Sequence, residues 1–156
     1  MNILPTIRIR KAKHTDLETL LDFEQEIIKA ERPYGHGLKE EKISYYDIEA
    51  MIDAEEVEVL VAIDGEELVG SGYVRIQENK PYLKYPAHAY LGFMYVKPSH
   101  RGKGVNKLIV EALLAWAKTK GLVEVKLDVY AGNLPAIRAY EKAGFEGYLL
   151  NMRTTI

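Results

Sequence analysis

Apolar residues recur along this chain at two spacings, one typical of strands and one typical of helices. Alternation of apolar and polar residues predicts six strands, at 7–11, 57–63, 68–77, 87–97, 123–130 and 145–152. Apolar residues three or four positions apart predict four helices, at 15–32, at 44–54, between 104 and Gly121, and at 134–143. The resulting order, β-α-α-β-β-β-α-β-α-β, indicates a mixed α/β (α+β) fold in a single domain over residues 1–156.

The predicted elements are bounded by turn and cap residues. Thr15 to Glu18 has the composition of a capping box, and Asn133 is a good N-cap for the last helix. Asp64-Gly65 predicts a hairpin between the second and third strands. Gly121 and Gly144 stand where the last two helices should end.

A glycine-rich, basic turn joins the fourth strand to the third helix. It reads Arg101-Gly102-Lys103-Gly104-Val105-Asn106. Backbone N–H groups at the start of a helix face outward and carry partial positive charge, so such a turn favours a phosphate. The spacing matches neither a Walker A loop nor a dinucleotide fingerprint, and the turn alone does not identify the anion.

Composition narrows the class of protein. The net charge of −2 argues against general nucleic-acid binding. There is no cysteine, so a disulfide framework, a thiol nucleophile and a Cys-based metal site are excluded, and we expect no metal. No apolar run is long enough to cross a membrane and no signal peptide is evident, so we expect a cytoplasmic protein. Residues 16–58 carry 14 acidic and 4 basic residues, which suits a cationic partner or simply solvated helices.

The turn and a second segment together resemble the GNAT superfamily of acyl-CoA-dependent N-acetyltransferases. Residues 101–106 are similar to its motif A, Arg/Gln-x-x-Gly-x-Gly/Ala, except that Asn106 replaces the last small residue. Residues 133–145 match every marked position of motif B, Asn-x-x-Ala-x-x-x-Tyr-x-x-x-Gly-Phe. The resemblance implies a sheet that is splayed between strands 4 and 5, with acetyl-CoA as the co-substrate.

The resemblance also implies roles for individual residues. The backbone of Met94, Tyr95 and Val96 would bind the pantetheine arm and the acyl carbonyl, with an N–H near Met94 or Tyr95 stabilising the oxyanion. Amides of the motif A turn would bind the pyrophosphate, with charge from the side chains of Arg101 and Lys103. The turn residues implied are Arg101, Gly102, Lys103, Gly104, Val105 and Asn106.

Motif B supplies two further candidates. Tyr140 resembles the general acid that protonates the leaving thiolate, although a core tyrosine would also fit its position. Asn133 resembles the residue that binds the pantetheine arm, and a plain helix cap remains an equal alternative.

The general base is not evident from the sequence. Many family members place a Glu on strand 4, and the corresponding residue here is Tyr90. We take Tyr90 as the candidate catalytic residue at this position, and His88, Glu24 and Glu31 remain alternatives. Tyrosines could line the acceptor pocket or only pack at the surface. They are Tyr34, Tyr45, Tyr46, Tyr82 and Tyr85.

The expected reaction is transfer of an acetyl group from acetyl-CoA to a primary amine of a small molecule, by direct attack in a ternary complex. A protein or peptide acceptor and a non-catalytic acyl-CoA-binding regulatory domain are the alternatives. The expected partner is a small-molecule amine or peptide, without nucleic acid or membrane. The family resemblance allows a homodimer, although no residue indicates one.

Overall fold

The structure is a computed structural model that describes residues 6–156. Its strands are β1 (Ile7–Lys11), β2 (Val57–Asp64), β3 (Glu67–Glu78), β4 (Ala87–Val96) and β5 (Val125–Lys126). Its helices are α1 (Leu17–Glu31), α2 (Ile48–Asp53), α3 (Val105–Thr119) and α4 (Leu134–Lys142). Short 3-10 turns at His14–Asp16 and Pro98–His100 precede α1 and the glycine turn.

The five strands form one mixed sheet in the order β1-β2-β3-β4-β5. Neighbouring strands are antiparallel from β1 to β4, and β5 is parallel to β4. Helices cover both faces of the sheet. Leu20 and Phe23 of α1, with Ile48 of α2, pack in the core on one face, while Ile109 and Leu113 of α3 pack on the other. This layered arrangement agrees with the predicted mixed α/β class.

A β-bulge bends β4 at Phe93. Gly92 pairs with Tyr73 and Tyr95 pairs with Ser71, so two residues of β4 oppose one residue of β3. Phe93 has φ of 56°, an unusual conformation for a bulky side chain. The buried hydroxyl of Ser71 donates a hydrogen bond to the Phe93 carbonyl at 3.0 Å, which stabilises the bulge.

β4 and β5 separate soon after they meet. Only Ala89 and Tyr90 pair with β5, opposite Val125 and Lys126. The rest of β4, which includes the bulge, has no strand partner on that side within the described residues. The predicted splay between strands 4 and 5 is therefore present.

Three predicted elements differ from the structure. No strand forms at 145–152, where Tyr148, Leu149 and Leu150 are exposed. Consecutive apolar residues give this segment no alternating face, and β5 is too short to offer it a ladder. The strand predicted at 123–130 is reduced to Val125–Lys126, because the chain turns away from β4.

The helix predicted at 44–54 begins only at Ile48. The backbone N–H groups of Tyr45 and Tyr46 donate to the carboxylate of Glu24, at 2.9 Å and 2.8 Å. Asp47 then caps α2 by accepting from the Ala50 N–H. A buried side chain of α1 thus sets where α2 starts. Of the helices in residues 6–156, none has the length and hydropathy needed to cross a membrane.

Candidate active site

The glycine turn has the geometry of an anion cradle. Gly102 and Gly104 adopt φ of 72° and 86°, which L side chains rarely allow. The first backbone hydrogen bond of α3 runs from the Leu108 N–H to the Gly104 carbonyl. The N–H groups just before it point out of the helix end and are available to a ligand. A Cβ built on Gly102 would meet no atom within 4 Å, so the turn faces open space.

The basic side chains of the turn fold onto the protein. Nε of Arg101 donates to the carbonyl of Val96 at 2.8 Å, and its guanidinium lies over the ring of Tyr95. Nζ of Lys103 donates to the carbonyl of Ser99 at 3.3 Å. Arg101 therefore ties the turn to the end of β4, and its remaining N–H groups still lie beside the cradle.

A cavity of about 400 Å³ lies beside the turn. Val96 of β4, Gly104 and Asn106 of the turn, and Ala139 and Lys142 of α4 all line it. The residues predicted to bind pyrophosphate and the last helix therefore share one cavity, although they lie far apart in the chain. Asn106 occupies the second position of α3 and does not obstruct the turn.

The splayed part of β4 presents backbone donors to the gap. The Ala89 N–H donates to the Glu124 carbonyl on the β5 side, and the Lys97 N–H donates to Val69 on the β3 side. Successive N–H groups of a strand point in opposite directions. Counting back from Lys97, the N–H groups of Val96 and Met94 point to the gap, while that of Tyr95 points to β3. Met94 is thus favoured over Tyr95 as an oxyanion donor.

Tyr140 and Asn133 lie on α4. The Tyr140 ring packs edge-on against Phe145 at 5.8 Å between centroids. Burial raises the pKa of the Tyr140 phenol, and the nearby Glu31 carboxylate raises it further. Asn133 caps α4, its side-chain oxygen accepting from the Ala136 N–H at 3.4 Å. The cap uses only the oxygen and leaves the side-chain NH₂ to bind a ligand.

Tyr90 is joined to a residue that the sequence analysis did not single out. Tyr90 is the last residue of β4 that pairs with β5. Its hydroxyl donates a hydrogen bond to Oδ2 of Asp128 at 2.9 Å. Burial and this carboxylate raise the pKa of Tyr90, so the phenol stays protonated and is unsuited to accept a proton at neutral pH. In the sequence, the one indication of a role for Asp128 is its place on the strand predicted at 123–130, next to strand 4.

Two other candidate bases, Glu24 and His88, form structural hydrogen bonds instead. Besides the two backbone donors described above, Glu24 accepts a hydrogen bond from the Ser44 hydroxyl at 3.1 Å, and it is fully buried. His88 is buried and bonds through Nδ1 to the side-chain oxygen of Asn79. Desolvation lowers the pKa of His88, which keeps the ring neutral. Both side chains hold loops in place.

Glu31 lies near Tyr45 and Tyr140. It is the last residue of α1 and half-buried, and desolvation raises its pKa. The Tyr45 hydroxyl next to it is buried without a hydrogen bond of good geometry. Burial raises the pKa of the Tyr45 phenol, and the nearby Glu31 carboxylate raises it further. The two groups form a polar pocket that is not fully satisfied by the protein.

The predicted acceptor tyrosines divide between several places. A Cβ on Gly35 would lie 2.9 Å from the Tyr130 hydroxyl, and one on Gly132 would lie 3.4 Å from Tyr34, so the loop after α1 packs on the loop before α4. Tyr46 packs edge-on against Phe93 in the core, whereas Tyr82 is fully exposed to solvent. Tyr34 and Tyr45 thus remain candidates for the pocket.

No group of three or more His, Cys, Asp or Glu side chains within residues 6–156 is placed to hold a metal ion. The site consists instead of outward N–H groups at a helix start, a parted pair of parallel strands and a protonated phenol. This arrangement suits a ligand that carries phosphate and an extended arm.

The chain belongs to the acetyltransferase (GNAT) family, whose family model matches residues 21–145. The predicted family is confirmed. The chain is 36% identical over 88 residues to a mycothiol acetyltransferase of Corynebacterium glutamicum, which is 56% of this chain and 28% of that protein. It is 29% identical over 101 residues to an aminoglycoside N(6')-acetyltransferase type 1 of Stenotrophomonas maltophilia, which is 63% of this chain and 65% of that one. This chain spans less than two thirds of the length of each of these two relatives.

The fold is also that of a solved structure, a predicted acetyltransferase from Clostridium acetobutylicum with acetyl-CoA. The TM-score is 0.72 at 18% identity, and the alignment covers 94% of this chain and 96% of that one. The likeness in fold extends beyond the segment that the family description matches. The predicted fold class is confirmed.

Proposed function

We propose that this protein transfers an acetyl group from acetyl-CoA to a primary amine of a small cationic molecule, by direct attack in a ternary complex. One observation carries the proposal: β4 parts from β5 after Tyr90, and the unpaired part of β4 leads to the glycine turn. Met94 and Val96 face the opening with backbone N–H groups, and the cradle lies at its end. The proposal includes a single domain over residues 1–156 and a cytoplasmic location.

The residues present fit acetyl-CoA. N–H groups of Gly102, Lys103, Gly104, Val105 and Asn106 would hold the pyrophosphate, because the turn faces open space and the helix start favours anions. Arg101 would add positive charge. Met94, Tyr95 and Val96 would flank the pantetheine arm, with the Met94 N–H at the thioester oxygen. When bound, acetyl-CoA supplies an acetyl thioester that is open to attack by an amine.

Tyr140 is suited to act as the general acid. A phenol with a raised pKa is fully protonated at neutral pH and can donate to the sulfur that leaves. Asn133 would bind the pantetheine arm through its free NH₂. The presence of this acid supports turnover over the alternative of a non-catalytic acyl-CoA-binding domain.

The acceptor is proposed to be cationic because the Glu31 carboxylate lies close enough to Tyr45 and Tyr140 to raise the pKa of both phenols. A desolvated carboxylate gains from an ammonium partner, and aromatic rings also favour cations. One similar protein is an aminoglycoside N(6')-acetyltransferase by name, which agrees with a polycationic small molecule. A protein or peptide amine would have to enter the same acidic pocket, and no feature of the pocket favours it.

A homodimer is a further part of the proposal. Exposed apolar side chains are frequent within residues 148–156, and exposed apolar surface often marks a contact surface. They are Tyr148, Leu149, Leu150, Met152 and Ile156. Light scattering at micromolar concentration tests this: a dimer that dissociates in Leu150→Asp is expected, and a monomeric wild-type protein contradicts it.

Thiol release from acetyl-CoA tests the proposed reaction. The panel of acceptors is kanamycin, streptothricin, spermidine and a lysine peptide. We expect turnover with at least one small polycation and slower turnover with the peptide. Tyr140→Phe should lower kcat by about 100-fold or more without weakening acetyl-CoA binding, since only the acid is lost. Tight acetyl-CoA binding without thiol release across the panel would favour the non-catalytic alternative.

A further inference from the structure

We propose that Asp128 is the catalytic carboxylate that accepts the proton of the acceptor ammonium, and that Tyr90 positions it. The inference rests on the proposed acetyl transfer. An ammonium must lose a proton before it can attack a thioester. Strand β4 itself carries no Asp or Glu, so the proton acceptor must come from elsewhere.

Asp128 lies where the reaction must take place. Tyr90 pairs with Lys126 in the last pair before the strands part, and Asp128 follows two residues later. The hydrogen bond of 2.9 Å from the Tyr90 hydroxyl to Oδ2 spans the mouth of the gap. Met94, which offers the proposed oxyanion N–H, is four residues further along β4. Asp128 thus follows β5 at the point where the gap begins, and Tyr90 connects it to β4.

The surroundings suit a carboxylate that exchanges protons. Asp128 is exposed to solvent, and its Oδ1 has no hydrogen-bond partner among the described residues. The titratable groups near it are Tyr90 and His88 of β4 and Tyr73 of β3. The Arg75 guanidinium of β3 lies 5.2 Å from the centre of the Tyr90 ring, so a positive charge stands close to the same tyrosine.

The tyrosine contributes geometry rather than basicity. Because its pKa is raised, Tyr90 remains a hydrogen-bond donor and fixes Oδ2, so that Oδ1 is directed away from the ring. A residue that acts through another in this way is a positioning residue. Its loss should misplace the carboxylate without removing it.

The proton balance is complete with these residues. The amine nitrogen forms a bond to the acetyl carbon as the bond from that carbon to sulfur breaks. Of the three ammonium protons, one passes to Asp128 and then to solvent, which reaches the exposed side chain. A second replaces the proton that Tyr140 gives to the sulfur, and the third stays on the amide nitrogen.

The test compares Asp128→Asn with Glu31→Gln, since Glu31 is the other candidate carboxylate and lies near Tyr140. Two nucleophiles are used: the panel amine that the wild-type protein acetylates fastest, and methoxyamine, which is neutral at pH 7. For the protonated amine, Asp128→Asn should lower kcat/KM by about 100-fold. For methoxyamine the same variant should lose less than about five-fold, because no proton needs to be removed before attack.

Tyr90→Phe should show a smaller loss with the protonated amine, about ten-fold. Because Asp128 loses a hydrogen bond that stabilises its ionised form, the acidic limb of kcat/KM should move to higher pH. Glu31→Gln should raise KM for the protonated amine and leave the acidic limb in place. Acetyl-CoA binding by calorimetry should be unchanged in Asp128→Asn, since the cradle lies on other residues.

Four results would overturn the inference. Equal losses with the two nucleophiles in Asp128→Asn would indicate a structural role, and loss of the acidic limb in Glu31→Gln would assign the base to Glu31. An active wild-type protein with an unaffected Asp128→Asn variant would overturn this inference alone. A wild-type protein that releases no thiol with any amine would overturn the proposed function and this inference together.

Discussion

The two edges of β4 differ in what their backbone groups bind. Towards β3 the strand is paired along its length, apart from one bulge that Ser71 stabilises. Towards β5 it is paired only at Ala89 and Tyr90. β4 is therefore paired on its β3 side and largely unpaired on its β5 side. The proposed site occupies the position where pairing ends.

The difference between the two edges goes together with a strained residue in β4. Phe93 takes up a left-handed conformation that a bulky residue avoids, and the buried Ser71 hydroxyl offsets part of that cost. The open edge then leaves N–H groups that a bound arm of extended shape could pair with, much as an added strand would. The bulge on the paired edge thus costs folding free energy, while the open edge leaves N–H groups that can bind a ligand.

The largest effect on acetyl-CoA binding is expected at the glycine turn. Gly102→Ala places a side chain where φ is 72°, on the face that should receive the pyrophosphate. We expect acetyl-CoA affinity to fall at least ten-fold by calorimetry, because the turn must shift to relieve strain of about 1–2 kcal/mol. The matched control is Gly121→Ala, at φ of 74° beyond the other end of α3.

Both glycines face open space, so their variants share the backbone strain and differ only in position. Gly121→Ala should lower Tm by a similar amount and leave acetyl-CoA affinity unchanged. Equal losses of affinity in the two variants would show that strain, and not the cradle, controls binding.

A smaller effect is expected from Ser71→Ala, which removes the hydrogen bond at the bulge. Loss of a buried hydrogen bond should reduce the free energy of unfolding by about 1–2 kcal/mol, measured by urea denaturation. If the bulge holds β4 open, acetyl-CoA affinity should also fall several-fold. Ser44→Ala, which removes a hydroxyl bonded to Glu24 on α1, should leave that affinity unchanged. A stable, fully binding Ser71→Ala protein would separate the bulge from the opening.

The smallest effect concerns Glu31. Its pKa is raised by folding, so the folded protein holds this proton more tightly than the unfolded chain does. Ionisation of Glu31 at neutral pH therefore disfavours the folded state. Glu31→Gln should slightly raise Tm at pH 7, and the gain should disappear below about pH 4, where both states are protonated. A loss of stability at pH 7 would mean that Glu31 has a cationic partner in the protein.

The sequence predicted the parts of the site that depend on local chemistry. The glycine turn, the cap by Asn133 and Tyr140 on the last helix follow from residue types at short spacing. The bulge at Phe93 could not be predicted, because it depends on a hydroxyl of another strand. The bond between Tyr90 and Asp128 joins residues 38 positions apart. The strand predicted at 145–152 was wrong because apolar composition alone does not provide a pairing partner.

The most direct measurement is residue-resolved amide hydrogen exchange by NMR, with and without acetyl-CoA. The amides of Met94 and Val96, which face the gap, should become protected when acetyl-CoA binds, together with those of Gly102 to Asn106. The amides of Tyr95 and Lys97, which face β3, should show little change. Protection of these β3-facing amides alone, or of a surface away from the cradle and β4, would contradict the central claim that acetyl-CoA enters between β4 and β5.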